Sequence, residues 1–356
     1  MHLLILGALP PPRGGVTTHI ERLIPYLKEA GIGFTIWDHS RIRKKKEYVI
    51  SLHREPVKVL FSLMQPGVKV LHCPISNITV SKLMFLFIMK LFGIRLTITI
   101  VASPEHTIGN NSLKFFFVLT LARFSSHIVA VNRDFQRLLV DNGIPENKVS
   151  TIPAFIPATD VTLKEESLPP DVVEFHIKHK PLIITYAHGP DLHKGDDLYG
   201  LDLIVQLAQE LRADFPQIGF VVVIPEITNE SYFRKLRMNI RENGLESFFY
   251  FAIGNHFSFV PFLQYADLFI RATKTDGDAL TLRESLYYRI PSVASDVCYR
   301  PEGTILFRSR DISDLCRTVR EALRNNGTTH PAAEAQQINN AELFIDVFKR
   351  AAGLRG

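Results

Sequence analysis

The chain has 356 residues, of which 46% are apolar and 22% are charged, and its net charge at pH 7 is +5. These values are typical of a globular protein, and the length is sufficient for two domains that each bury a core. The modest positive charge favours an anionic partner, either nucleotide phosphates or a lipid surface.

The cysteine content and the hydropathy pattern exclude several classes of protein. Cys73, Cys298 and Cys316 lack paired spacing, so they indicate neither a disulfide framework nor a zinc site, which fits a reducing cytoplasm. The apolar start of the chain is too short for a signal peptide, and the most apolar stretch, 83–102, is interrupted by two basic residues. Since a membrane span needs about 20 nearly uncharged residues, no transmembrane helix is predicted. Aromatic residues do not interleave with a basic strand surface, which argues against a nucleic-acid partner.

The N-terminal residues are typical of the first unit of a nucleotide-binding fold. A buried strand is predicted at 3–6, followed by a loop that ends in Gly14 and Gly15 and by an amphipathic helix that ends at Gly31. Strand, glycine loop and helix in this order place open backbone next to a ligand in such folds.

The stretch 269–296 has the pattern strand, loop, helix, strand. Asp276 lies in the predicted loop, and Glu284 lies on the predicted helix eight residues later. The helix is opened by four backbone amides, those of Gly277, Asp278, Ala279 and Leu280. Free N–H groups at a helix N-terminus favour a diphosphate, and a carboxylate one or two turns further can accept the hydroxyls of a ribose.

The same stretch resembles the signature of glycosyltransferase family 4, whose usual form is EGFGxxxxEAxxxGxPVVAxD and which reads here DGDALTLRESLYYRIPSVASD. The resemblance implies an α/β protein of GT-B fold, with two Rossmann-like doubly wound parallel-sheet domains that face a cleft. It places an acceptor-side domain at 1–157 and a nucleotide-sugar-binding domain at 158–335, with a last helix at 336–356 that packs back on the first domain. The polar, proline-containing segment 161–180 is predicted to be an irregular crossover.

The family resemblance also implies an activity: transfer of a sugar, with retention of configuration, from a UDP- or GDP-type donor to a glycan or a lipid-linked oligosaccharide in bacterial polysaccharide biosynthesis. In that reaction Glu284 holds the ribose, Asp276 holds the hydroxyls of the donor sugar, and the amides of 277–280 hold the diphosphate or the sugar. Gly14 and Gly15 contact the far side of the donor. No metal and no cofactor beyond the nucleotide-sugar substrate is implied, because the helix dipole and a lysine would stabilise the leaving diphosphate.

The sequence departs from the family pattern at three positions. Asp276 replaces the first glutamate of the signature, and Val101 stands where the family has a histidine close to the reacting sugar. His106, five residues later, is a candidate for that place, or else it is a surface residue. Tyr199 stands where the family has a phosphate-binding lysine, and Lys194 is the predicted replacement because an ammonium on a flexible stem can reach the phosphates from several anchor points.

Three basic segments, 41–46, 81–91 and 112–124, lie in the N-terminal half, and the last two are also strongly apolar. Helices that cover a parallel sheet account for most of the apolar residues. A basic rim with exposed aromatic residues would also let this half rest on an anionic membrane surface. We therefore expect a cytoplasmic protein and predict peripheral association with the inner face of the membrane.

Two other functions are compatible with the sequence. The three departures are also expected of a non-catalytic GT-B scaffold or binding module, which would bind UDP or GDP without releasing either from a sugar donor. A nucleotide-sugar epimerase or hydrolase would instead act without an acceptor.

Overall fold

The computed structural model describes the chain apart from residues 12, 43, 66, 68, 77–78, 102–111, 160–167, 256, 326–338 and 355–356. The chain divides into two compact units, which we call unit 1 (Met1–Ile156 with Asn339–Gly356) and unit 2 (Pro157–Ile338). Each unit is built on its own parallel sheet. None of the helices in the described part of the chain is long and apolar enough to cross a membrane.

Unit 1 contains a seven-stranded sheet in which all neighbouring strands are parallel. Its strands are β1 (His2–Gly7), β2 (Gly33–Asp38), β3 (Val49–Ser51), β4 (Lys69–Ile75), β5 (Arg95–Ile100), β6 (His127–Ala130) and β7 (Val149–Thr151). The spatial order is β3-β2-β1-β4-β5-β6-β7. The run Leu3–Leu6 of β1 is buried without polar alternation, as expected of a strand covered on both faces.

The helices of unit 1 cover both faces of this sheet. They are α1 (Gly15–Glu29), α2 (Pro56–Met64), α3 (Val80–Leu91), α4 (Ser112–Phe124) and α5 (Arg133–Asp141). Side chains of α3, α4 and α5 share one hydrophobic cluster with the sheet, whereas α1 shares a second cluster with the last helix of the chain. Two clusters on one sheet are the doubly wound arrangement that the sequence predicts.

Unit 2 contains a six-stranded parallel sheet and a short antiparallel hairpin. The sheet strands are β8 (Leu182–Tyr186), β11 (Gly219–Ile224), β12 (Phe249–Ile253), β13 (Leu268–Arg271), β14 (Ser292–Ser295) and β15 (Ile305–Phe307), and the hairpin pairs β9 (Leu192–His193) with β10 (Asp196–Asp197). The spatial order β12-β11-β8-β13-β14-β15 reverses direction between β8 and β13. Ligands of open α/β sheets bind at the carboxyl ends of the strands beside such a reversal, so a ligand is expected at the ends of β8 and β13.

The helices of unit 2 are α6 (Pro170–Lys178), α7 (Leu201–Leu211), α8 (Glu230–Glu242), α9 (Val260–Leu263), α10 (Leu280–Tyr287) and α11 (Ile312–Arg324). The final helix, α12 (Asn340–Ala351), belongs to unit 1.

The prediction of an irregular crossover at 161–180 was wrong where α6 lies. Proline is compatible with the first turn of a helix, where its missing N–H leaves no bond unmade, and Pro170 occupies that turn. Val172 then anchors the helix in the core of unit 2.

Candidate functional site

The loop between β13 and α10, together with α10 itself, holds the two acids that the sequence singles out. Asp276 lies in this loop, and Glu284 lies in the second turn of α10, where only 2% of the residue is exposed. The predicted succession of strand, loop, helix and strand at 269–296 is confirmed by β13, α10 and β14. The two acids thus stand at the carboxyl end of the sheet, next to the reversal of strand order.

Asp276 is the centre of a buried ion-pair network. Its carboxylate accepts hydrogen bonds from Arg271 (Nε to Oδ2, 2.9 Å, and Nη2 to Oδ1, 3.3 Å) and from Arg300 (Nη1 to Oδ2, 2.8 Å). The Thr273 hydroxyl donates a further bond to Oδ2 at 3.2 Å. Side-chain exposure is 10% for Asp276 and Arg271 and 2% for Arg300. The carboxylate therefore holds two guanidiniums that come from β13 and from the segment after β14.

The charges in this network stabilise each other against the effect of burial. Burial opposes ionisation of Asp276, but the guanidiniums of Arg271 and Arg300 outweigh it and hold the pKa of Asp276 well below its ordinary value. Burial likewise opposes the charge of Arg271, and the Asp276 carboxylate overcomes that effect, so the pKa of Arg271 is raised. Asp276 and Arg271 are therefore both charged at neutral pH.

Arg271 is placed at the reversal point itself. It is the last residue of β13, and its Nη1 donates to the carbonyl oxygen of Tyr186, the last residue of β8, at 3.4 Å. Its guanidinium lies over the ring of Tyr199, 5.5 Å from the centroid. Gly200 follows with a φ of +72°, and a Cβ there would lie 2.2 Å from the carbonyl oxygen of Ala272. Glycine at 200 therefore lets the start of α7 approach the end of β13 closely.

The N-terminus of α7 is already occupied by a carboxylate. Asp197 accepts the backbone N–H groups of Tyr199 (2.8 Å) and Gly200 (2.9 Å) and the hydroxyl of Tyr232 (2.6 Å). Burial raises the pKa of Asp197, although these bonds favour its charged form. Because Asp197 takes the open N–H groups, this end of α7 is poorly suited to a phosphate.

The N-terminus of α10 differs, since Ala279 precedes the helix and makes no side-chain cap. Among the four predicted amides, that of Gly277 donates to Asp276 Oδ1 at 3.1 Å, and the Asp278 side chain pairs with Arg283 at 2.5 Å. Ala279 is buried, and Leu280 is the first helical residue. The Thr281 hydroxyl, in the first turn, is buried without a hydrogen-bond partner among the described residues. This first turn therefore retains polar capacity that a ligand can use.

Lys194 lies at the tip of the β9–β10 hairpin, where its side chain is exposed. Lys194 and Gly195 form the two-residue turn of this hairpin, and both have a positive φ, 53° and 87° respectively. Lys274 forms an ion pair with Asp196 on the same hairpin. The structure therefore brings Lys274 into an ion pair that joins the hairpin to the loop after β13.

The remaining predicted residues lie in unit 1. Gly14 precedes α1 with extended backbone, and a Cβ on Gly14 or Gly15 meets no atom of the described residues within 4 Å. Neither crowding nor backbone conformation within that part of the chain requires glycine here. The N–H of Gly14 donates to the Thr17 hydroxyl at 2.9 Å, so this amide is already used within the chain. Val101 follows β5, and His106 lies outside the described residues.

The sequence reasoning missed Arg271 and Arg300. A signal for Arg271 is present, because the strand sequence LFIR ends an apolar run with a guanidinium. Arg300 gives no such signal, since RPEG reads as an ordinary surface turn. No group of three or more His, Cys, Asp or Glu side chains in the described ranges could hold a metal ion.

No protein-family model matches the chain, and no curated protein sequence matches it. Solved structures do match over nearly the whole length. HepE from Anabaena, in complex with UDP and glucose, superposes with a TM-score of 0.70 at 16% identity, covering 99% of this chain and 100% of HepE. A glycosyltransferase from Rickettsia africae gives 0.67 at 12% identity, with 98% of each chain covered. Sucrose-phosphate synthase from Thermosynechococcus elongatus gives 0.66 at 12% identity, covering 99% of this chain and 96% of the synthase.

Similarity at this level of identity establishes a shared fold and leaves activity to be argued from the site. The two parallel sheets of seven and six strands, each flanked by helices, are the architecture of these neighbours. The chain therefore has the GT-B fold.

Proposed function

We propose that this protein is a retaining glycosyltransferase that moves a sugar from a UDP- or GDP-linked donor to a glycan or lipid-linked acceptor in bacterial polysaccharide biosynthesis. The observation that carries the proposal is the position of Asp276 and Glu284 around the N-terminus of α10, at the carboxyl end of the sheet of unit 2. The match to HepE, whose structure contains UDP and glucose, supports a nucleotide-sugar as the ligand of this fold.

In the proposed reaction, the acceptor hydroxyl oxygen bonds to the anomeric carbon of the donor sugar. The bond from that carbon to the phosphate oxygen breaks, its electron pair goes to the diphosphate, and the hydroxyl proton passes to the diphosphate or to solvent. Groups that bind the diphosphate more strongly as its charge grows would lower the barrier. The chain needs no protein nucleophile for this step.

The proposed reaction gives Glu284 and Asp276 separate roles in binding the donor. Glu284 would accept the ribose hydroxyls, which is consistent with a buried carboxylate on a helix beside the phosphate-binding turn. Asp276 would hold the sugar hydroxyls only if its carboxylate exchanged one of its present bonds, to Arg271, Arg300 or Thr273, for a sugar hydroxyl. Gly14 and Gly15 would let the donor approach the chain closely, because neither carries a side chain.

The surface of unit 1 supports a lipid-linked acceptor and an anionic membrane as partners. On α2, α3 and α4 large apolar side chains are exposed on the side away from the sheet, among them Phe61 (63%), Met84 (60%), Leu91 (72%) and Phe116 (58%). We call this surface the outer apolar face. A helix that is apolar on both its packed and its outer side is typical of contact with another apolar phase.

The charges of these three helices fit an anionic lipid surface. Every charged residue in them is basic: Lys58, Lys82, Lys90, Lys114 and Arg123. Between α3 and α4 a groove of about 250 Å³ is lined by Leu83, Met84, Phe87, Ile88, Leu121 and Phe124, among other residues. Apolar bulk with basic residues and no acidic ones is the combination that binds an interfacial surface of anionic lipid.

The activity is tested by incubating the purified protein with a panel of UDP- and GDP-sugars, with and without bacterial lipid extract, and measuring released UDP or GDP. A transferase should release nucleoside diphosphate in an acceptor-dependent manner, with the sugar recovered in the lipid fraction. Equal release without acceptor would identify a hydrolase, and isomerised donor an epimerase. Binding of UDP or GDP without release from any donor in the presence of extract would favour the scaffold.

A further inference from the structure

We propose that Arg271 is the residue that binds the diphosphate of the donor, and that Asp276 and Arg300 position its guanidinium. This inference rests on the proposed function, because it names a further residue of the same donor site. It assigns to Arg271 the cationic role that the sequence reasoning gave to Lys194.

Arg271 and Arg300 bring two guanidiniums to one buried carboxylate. Asp276 is their shared partner in the ion pairs of the described residues, and all three side chains are at least 90% buried. A diphosphate offers further anionic oxygens to these guanidiniums, and charge-assisted hydrogen bonds between guanidinium and phosphate are among the strong ones.

The two guanidiniums differ in how many of their N–H groups the protein already uses. Arg300 uses four N–H groups on protein oxygens: those of Ser295, Asp276 and Thr273. Arg271 uses three of its five N–H groups within the described part of the chain, one of them in a long 3.4 Å bond to Tyr186. Arg300 is thus fixed by the protein, whereas Arg271 retains donors for phosphate oxygens.

The position of Arg271 in the sheet also favours contact with the diphosphate. Arg271 lies at the carboxyl ends of β8 and β13, where the strand order reverses, and it stacks on Tyr199, the residue that stands where the family resemblance places a lysine. The guanidinium therefore occupies the neighbourhood from which a lysine at 199 would act. Lys194, in contrast, is exposed at the tip of a hairpin, and the intervening Asp196 and Asp197 carry negative charge. A planar guanidinium also matches phosphate oxygens in two simultaneous bonds, which an ammonium cannot do.

Calorimetric titration with UDP, GDP, uridine and guanosine tests the assignment. Arg271→Gln removes one of the two guanidiniums and leaves Asp276 paired with Arg300. It should weaken UDP or GDP binding by about tenfold or more and leave nucleoside binding unchanged, because a nucleoside lacks the phosphates that Arg271 contacts. Lys194→Gln removes the competing cation and should leave both affinities unchanged. Arg320→Gln, which removes an equal charge from the distant pair with Asp214, is the control for long-range electrostatics.

The outcomes separate this inference from the proposed function. If wild-type protein binds neither UDP nor GDP, the proposed function fails. If wild type binds one of them and Arg271→Gln binds it equally well, Arg271 is only structural and the inference is overturned while the function stands. If Lys194→Gln loses the diphosphate instead, the sequence-based assignment is right.

A second variant covers the case in which Arg271→Gln does not fold. Arg271→Lys keeps the charge and loses the fork geometry, so the ratio of nucleoside to nucleoside-diphosphate affinity should shift by about threefold or more against the diphosphate. An unchanged ratio would overturn the inference.

Discussion

The two units have the same kind of sheet but place their charges and apolar side chains oppositely. In unit 1, α3 exposes Met84, Phe87 and Leu91 on its outer side, and the charges around them are basic. In unit 2, α11 buries Leu315 and Val319 and presents polar residues on its outer side. Unit 2 also keeps its most buried ion pairs, those of Asp276, at the carboxyl end of the sheet.

The exposed apolar and basic surface of unit 1 and the buried ion pairs of unit 2 favour different kinds of partner. A basic surface with exposed apolar side chains gains free energy by contact with anionic lipid, because both the apolar contact and the charge attraction are favourable. Buried guanidiniums beside a helix N-terminus gain free energy from contact with a small polyanion. In the proposed function, the same architecture would serve a surface partner in unit 1 and a compact anionic ligand in unit 2.

The largest expected effect is on the buried charges of unit 2. Asp276→Asn leaves the guanidiniums of Arg271 and Arg300 together in the interior, and removing one partner of a buried ion pair costs about 3–5 kcal/mol of unfolding free energy. Urea unfolding followed by circular dichroism measures this loss. Glu174→Gln is the matched control, because it also replaces an acid by its amide in unit 2 but at an exposed pair with Lys178, where about 0–1 kcal/mol is expected.

Wild type and Asp276→Asn should also differ in how their stability depends on pH. The pKa of Asp276 is lowered in the folded state, so its contribution to stability is complete above the ordinary aspartate pKa of about 4 and is lost as pH falls through the folded value. Wild type should therefore lose unfolding free energy below about pH 4 more steeply than Asp276→Asn does. Parallel pH profiles for the two proteins would mean that the carboxylate is not held by the guanidiniums.

A smaller effect is expected at the outer apolar face of unit 1. Met84→Glu removes an apolar contact and adds a repulsive charge, so its binding to anionic liposomes in flotation should fall by about tenfold or more. Met238→Glu on α8 of unit 2 is the matched control, since Met238 is 59% exposed and Met84 is 60% exposed. Binding of wild type should also weaken at high salt, because charge attraction is screened within about 10 Å at 0.1 M. Equal binding by both variants, or none by wild type at low salt, would remove the distinction between the two surfaces.

Local patterns predicted those features that depend on neighbouring residues alone. The apolar run of β13, the turn residues after it and the helical spacing that follows predicted the strand, the loop and the helix on which the candidate site lies. The ion pair of Asp276 with Arg300 could not be predicted from the sequence, because the partners lie 24 residues apart and meet only when β13 and β14 pair. The helix α6 was missed since proline was taken as a breaker, although Pro170 lies in the first turn, where proline is favourable.

The central claim is that unit 2 binds a nucleoside-diphosphate sugar between the end of its sheet and α10, and thermal unfolding with a panel of UDP- and GDP-sugars tests it most directly. At 100 times its Kd, the correct donor should stabilise the wild-type protein by about 2.7 kcal/mol. Glu284→Gln should keep its fold and lose about 1.5–3 kcal/mol of donor binding, because a carboxylate–hydroxyl hydrogen bond is removed. If no nucleotide-sugar shifts the unfolding of wild type, or if Glu284→Gln responds as wild type does, the donor site is not where this account places it.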